Sequence, residues 1–140
     1  KKPAIQPTAP PPSPTSGEND PFVGNWVAVD KVDGSSTTLT ISRNDGSYSL
    51  VLVDDKASAC GLDEAGKPKF AIEIRAAGTA RGNVLNATTT SATCFSDPPS
   101  SLERVWTAEL TYQTPTDTLI DMWVRVDTGT VFSGTVWRRR

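Results

Sequence analysis

The sequence predicts an all-β protein, an eight-stranded antiparallel up-and-down β-barrel behind an extended Pro-rich tail. Three observations lead to this fold class. From Phe22 onward, short runs alternate apolar and polar residues, and turn residues separate the runs at intervals typical of antiparallel meanders. No segment carries the apolar stripe of a helix, which repeats about every 3.6 residues. The many Thr and Val residues favour pleated strands.

Residues 1–21 differ in composition from the rest of the chain. They contain seven prolines and few apolar side chains, which is typical of polyproline II or of a flexible spacer. We therefore expect a tail or linker over 1–21 and a single β-barrel domain over 22–140. The chain begins at Lys1 without a charged and apolar leader, so we expect any targeting segment to have been removed or left out.

Eight strand-like runs follow the tail. Asp33-Gly34 and Thr128-Gly129 are among the turn sequences that connect them, and the third run is expected to lead into a longer polar loop that contains Cys60. Eight sequential strands close naturally into a barrel, because closure removes exposed sheet edges. The runs cover residues 22–30, 36–42, 48–53, 70–76, 84–90, 105–112, 119–126 and 131–137.

Cys60 and Cys94 are the two cysteines of the chain. An even count of cysteines in a Thr- and Ser-rich chain favours a disulfide formed in an oxidising compartment. By the chain-entropy argument, closing a loop of about 34 residues would stabilise the fold by roughly 3–4 kcal/mol. We therefore expect a secreted or cell-surface protein; two buried free thiols are the alternative.

The charge balance and the hydropathy pattern argue against two classes of partner. The net charge is −2, from 14 basic and 16 acidic residues, which gives no electrostatic footprint for nucleic acid. No stretch approaches the roughly 20 consecutive apolar residues that a membrane-spanning helix needs. We expect neither nucleic-acid binding nor a membrane span.

Catalytic and cofactor motifs are missing from the sequence. Without histidine, the chain lacks the usual general base, the Ser-His-Asp arrangement and the commonest metal ligand. It also has no Gly-rich phosphate loop and no Cys/His zinc cluster. We therefore expect a non-enzymatic protein without a cofactor or a metal. Two acidic sets remain as alternatives, a calcium site among Asp54, Asp55, Asp63 and Glu64 and a glycosidase pair drawn from Glu73, Glu109 and Asp121.

Gly24-x-Trp26 on the first run and Trp137-Arg138 on the last resemble the structural signature of the lipocalins and their calycin relatives, including the avidins. In that family, the Trp of the first strand packs across the closed end of the barrel and an Arg of the last strand lies over it as a cation–π pair. The resemblance implies that Gly24, Trp26, Trp137 and Arg138 close this barrel. It also implies a cup for a small apolar ligand.

The lumen itself is expected to be largely filled, because small eight-stranded barrels often leave little cavity. Apolar side chains of the second, third and fourth runs would fill it, namely Leu39, Ile41, Leu50, Leu52, Phe70, Ile72 and Ile74.

Trp106, Tyr112 and Trp123 are the aromatic residues that provide a functional hypothesis. The face of Trp106 continues through Ala108 and Leu110 to Tyr112, so we expect it to point into the core.

On the seventh run, the alternate set Ile120, Met122, Val124 and Val126 is the more apolar one. The simple rule therefore predicts that Trp123 faces outward beside Asp121 and Arg125. An exposed aromatic with polar neighbours suits a sugar ring or a partner surface, although it can also lie flat on the barrel wall. The candidate ligand or partner face comprises Trp123, Asp121, Arg125, Trp106 and Tyr112.

Two functional classes follow from these observations. The first is a structural subunit of an extracellular surface or filament, which self-associates by docking its N-terminal tail onto a neighbour. The second is a binding module for a small apolar ligand or a carbohydrate. We prefer the first because only it gives the tail a role.

Overall fold

The computed structural model describes residues 20–29 and 36–140, so most of the predicted tail lies outside the described residues. The strands are β1 (Gly24–Val29), β2 (Ser36–Asn44), β3 (Ser47–Leu62), β4 (Pro68–Arg81), β5 (Val84–Cys94), β6 (Ser100–Ser101), β7 (Trp106–Gln113), β8 (Thr118–Arg125) and β9 (Val131–Arg139).

Eight of these strands form a closed antiparallel barrel, which confirms the predicted fold class. Each strand pairs with the next along the chain, except that β5 pairs with β7, and β9 returns to β1 to complete the circle. The short strand β6 pairs with the end of β5, beside the barrel.

Two strands, β3 and β4, are longer than the sequence pattern predicted. The prediction of a polar loop after residue 53 is wrong, because β3 continues through Cys60 to Leu62. This extension pairs with β4, which is also longer than predicted. Register shifts interrupt this ladder between Asp54 and Ala57 and again before Leu62. These irregularities explain why the period-two pattern fades in a segment that is nevertheless strand.

The predicted disulfide is confirmed, and it joins the extension of β3 to the end of β5. Cys60 and Cys94 are bonded, with their Cα atoms 5.5 Å apart. Such a bond is typical of proteins from oxidising compartments. No helix in the described part of the chain is long and apolar enough to cross a membrane.

One end of the barrel, which we call the closed end, is packed around Trp26. This side chain is fully buried, its indole Nε1 donates to the carbonyl oxygen of Phe22 at 2.9 Å, and Phe22 lies across the barrel end with Tyr48 at its edge. The β2–β3, β4–β5 and β7–β8 turns lie at this end. The opposite end, with the β3–β4 and β8–β9 hairpins, is called the open end.

The cation–π pair that closes the barrel involves Arg139, so the assignment of Arg138 is wrong by one residue. The Arg139 guanidinium carbon lies 4.2 Å from the centre of the Trp26 ring. Trp26 and Arg139 are direct cross-strand partners, and Arg139 shares its face of β9 with Trp137 because side chains alternate along a strand. Gly24 has φ near +143°, and a Cβ atom there would lie 2.7 Å from the Arg139 guanidinium. The positive φ is what favours glycine at this position, since the end of the Arg139 side chain could move aside.

Candidate binding site in the barrel

The open half of the barrel encloses a cavity of about 1050 Å³. The half of the barrel at the closed end is filled, as predicted, by Leu39, Ile41 and Leu50, each no more than 1% exposed. The prediction of little cavity is wrong for the half at the open end, where Leu52 and Ile72 line the cavity. Phe70, which was also expected to fill the lumen, lies outside the lining. The barrel is thus solid at one end and hollow at the other.

The cavity extends to a gap in the barrel wall between β1 and β9. The β1–β9 ladder has two residue pairs, Trp26 with Arg139 and Val27 with Arg138, and it stops there. Beyond it, the lining follows both strands, over 27–29 on β1 and over 132–138 on β9. The cavity is therefore bordered by two strand edges that do not pair with each other.

One wall of the cavity is built around the buried carboxylate of Asp121. The indole Nε1 atoms of Trp123 and Trp137 each donate to Asp121 Oδ2 at 2.9 Å. The backbone N–H of Thr135 donates to the other oxygen, Oδ1, at 3.1 Å. Buried indole N–H groups require an acceptor, and one carboxylate here provides it for two tryptophans on neighbouring strands.

A β-bulge in β9 allows the hydrogen bond from the Thr135 N–H to Asp121. Ile120 and Met122 on β8 pair with Val136 and Ser133 on β9, so two residues of β9 oppose Asp121 alone. Gly134, the first of the two, has φ near +90°, a conformation that glycine adopts easily. The bulge turns the N–H of Thr135 toward the carboxylate instead of the β8 backbone.

The prediction that Trp123 faces outward is wrong. Trp123 is 8% exposed and Asp121 is 5% exposed, and both line the cavity. Ile120 and Met122, which alternation assigned to the core, are instead exposed on the outer surface. Counting apolar residues gave the wrong face because the hydrogen bonds of Asp121 satisfy a polar group inside the barrel.

The structure brings together four of the five residues of the candidate face. Trp106, Asp121, Trp123 and Arg125 all line the cavity, whereas Tyr112 lies at the closed end and donates its hydroxyl hydrogen to Asp117 Oδ1 at 2.8 Å. These four residues therefore form an inner wall, and they do not form an outer partner surface.

Electrostatically, Asp121 is isolated from the arginines that also line the cavity. Arg125 forms a two-point contact with Asp127, at 2.6 and 2.9 Å, and not with Asp121. Arg104 lines the cavity as well, and Arg138 borders it at the end of the β1–β9 ladder, with its side chain on the outer side of β9. Burial raises the pKa of Asp121, and the hydrogen bonds from Trp137, Trp123 and Thr135 only partly oppose this effect.

The acidic alternatives are not assembled into sites. In the described residues, no three acidic or cysteine side chains are grouped as metal ligands. Asp63 accepts the backbone N–H groups of Ala65 and Lys67 in a turn. Glu73 pairs with Arg75 at 3.0 Å on the outside of the barrel, while Asp121 is inside it.

Sequence reasoning missed several residues of the cavity. Arg104 and Phe132 belong to the lining, and Gly134 provides the bulge. One signal was available in the sequence: Trp123 and Trp137 are two tryptophans on adjacent runs, and an acidic residue lies two positions before one of them. Because a buried indole needs an acceptor, that spacing favours an inward Asp121.

Comparison of the chain with protein-family models, with curated proteins and with solved structures finds no match. The closed eight-stranded antiparallel barrel is compatible with a calycin-like fold.

Proposed function

We propose that this protein is a secreted, non-enzymatic binding module whose cavity takes a small, largely apolar ligand. The observation that carries the proposal is the cavity at the open end of the barrel, with its wall of Trp106, Trp123 and Trp137. Its volume of about 1050 Å³ is just above the usual range for ligand pockets, roughly 300–1,000 Å³. The Arg139–Trp26 contact supports a place among the calycin relatives, with the Cys60–Cys94 bond supporting secretion.

The hydrogen bonds of Asp121 favour an apolar ligand over a carbohydrate. Trp123 and Trp137 use their N–H groups on Asp121, so they offer a ligand apolar ring surface and no donor. Ala28, Leu52 and Ile72 provide further apolar lining. A sugar ring can stack on tryptophan, but these two indole N–H groups are not free to bond its hydroxyls.

Dye binding tests the proposal with two matched phenylalanines. Phe132 is 54% exposed and lines the cavity, and Phe95 is 48% exposed and lies outside the lining. We expect the neutral apolar dye Nile red to bind saturably, with Phe132→Ala weakening its affinity about tenfold through lost apolar contact. Phe95→Ala should leave the affinity unchanged. Absence of saturable binding, or equal effects of the two variants, would contradict the proposal.

The structural-subunit hypothesis remains a prediction, because it depends on a tail that lies mostly outside the described residues. Its test is the oligomeric state of the chain with and without residues 1–20. Large assemblies that disappear on truncation would support it and would make the barrel a building block. A monomer that is indifferent to truncation would contradict it.

A further inference from the structure

The outer surface of β8 and β9 is apolar, which is unusual for this barrel. On β8, Ile120 is 36% and Met122 is 38% exposed, and on β9, Val131 is 54% and Val136 is 39% exposed. Ile120 pairs directly with Val136, and Val124 pairs with Val131, so these side chains form one continuous patch. We call this patch, Ile120, Met122, Val124, Val131 and Val136, the outer β8–β9 face.

Strand β2, which is separated from β9 by β1, has the expected polarity. On β2, Leu39 and Ile41 point inward, while Thr40 and Ser42 are exposed. The difference arises because Asp121 and the tryptophans occupy the inside of β8, which leaves its apolar set outside. A contiguous exposed apolar patch marks an interaction site more often than isolated exposed residues do.

Two opposite charges flank the outer β8–β9 face. Glu109 on β7 is the cross-strand partner of Met122, and Arg138 on β9 is the partner of Thr118. Neither residue forms an ion pair with another described residue. They are separated by about 13 Å along the strands and about 10 Å across them, with Ile120 midway between.

We propose that the outer β8–β9 face binds the same face of a second copy of this chain, around a two-fold axis that passes over Ile120. In this arrangement Glu109 of each protomer lies opposite Arg138 of the other, because an isologous contact makes every cross-pair twice. The spacing of the two charges makes the sheets cross at close to a right angle, one of the two preferred angles for packed sheets. The self-complementary charge pattern is why the partner is a second copy of the chain.

The apolar core of the proposed contact lies on two strands, β8 and β9, and is small beside the roughly 800 Å² per partner of a standard interface. We therefore expect a reversible dimer that forms as the concentration rises.

Sedimentation equilibrium of the full chain tests the proposal. The average mass of the wild type should rise from 14.9 kDa toward twice that value between about 10 μM and about 500 μM, as a Kd of about 100 μM implies. Met122→Lys should weaken the association more than tenfold, because it buries a charge in the contact. Ser49→Lys, at an exposed position on β3, is the control and should leave the association unchanged.

A charge exchange tests the two-fold arrangement itself. Glu109→Arg and Arg138→Glu should each weaken the dimer, since each places like charges opposite each other, and the double variant should restore it. A wild type that stays monomeric, or a dimer that Met122→Lys does not affect, would overturn the proposal. So would association that is lost only when residues 1–20 are removed, or a double variant that is not restored.

Discussion

Asp20 and Asp121 are two buried carboxylates of this barrel, at 7% and 5% exposure, and they behave in opposite ways. Asp20 lies at the closed end, where it accepts hydrogen bonds from the Phe22 N–H, the Tyr48 hydroxyl and the Arg43 guanidinium, at 2.9, 2.7 and 3.0 Å. Asp121 lies in the cavity wall and accepts from two indoles and one backbone amide. The difference is the charge of the donors.

The pKa values follow from those donors. Burial opposes ionisation of Asp20, but the hydrogen bonds from Tyr48 and Phe22 and the Arg43 charge outweigh it, so the pKa of Asp20 is lowered. Burial together with the Asp20 carboxylate raises the pKa of Tyr48 to about 12. The pKa of Asp121 is raised by burial, because its donors are neutral. The closed end is thus stabilised by a charge pair, whereas the cavity wall contains a carboxylate without one.

The largest expected effect distinguishes the packing of the two regions. Trp26→Ala should lower the free energy of unfolding by about 4 kcal/mol, since it empties the filled end of the barrel. Trp123→Ala should cost less, about 2–3 kcal/mol, because its ring already borders open space. Urea unfolding followed by circular dichroism measures both. A larger loss for Trp123→Ala would show that the cavity wall, and not the closed end, dominates stability.

Removing each carboxylate sharpens the comparison. Asp121→Ala should cost about 3 kcal/mol, because it leaves two indole N–H groups and the Thr135 amide without an acceptor. Asp20→Ala should cost about 1–2 kcal/mol, because the Arg43 side chain is 43% exposed and water can replace its partner. The same unfolding experiment at neutral pH checks this order. The reverse order would mean that the neutral donors of Asp121 find water in the cavity.

The smallest expected effect is a difference in the pH dependence of stability. The pKa of Asp20 in the folded protein is below its usual 3.8, so its stabilising contribution is present above that value and is lost as the pH falls through the folded pKa. The pKa of Asp121 is above 3.8, so stability falls as the pH rises from 3.8 through the folded pKa. Unfolding free energies between about pH 3 and pH 7 should therefore show opposite trends when the wild type is compared with Asp20→Asn and with Asp121→Asn. Parallel trends would contradict this assignment of donors.

The candidate site was only partly predictable, and the errors have physical causes. Trp106 and Asp121 were singled out by residue type, and both line the cavity. Trp123 was placed on the wrong face because counting apolar residues treats a carboxylate as an outward signal, although two indoles and a bulge make it a stable inward one. The bulge at Gly134 has no sequence pattern that distinguishes it from a turn.

The sequence by itself determined the barrel and its disulfide, because period-two alternation, turn residues and a pair of cysteines are local signals. Only the tertiary structure decided that Arg139 covers Trp26, that Asp121 points inward and that the barrel is hollow at its open end. The contact of Arg139 depends on register between β1 and β9, which are distant in sequence, and the direction of Asp121 depends on the register and the bulge between β8 and β9. A slip of one residue in that register reverses every side chain of a strand.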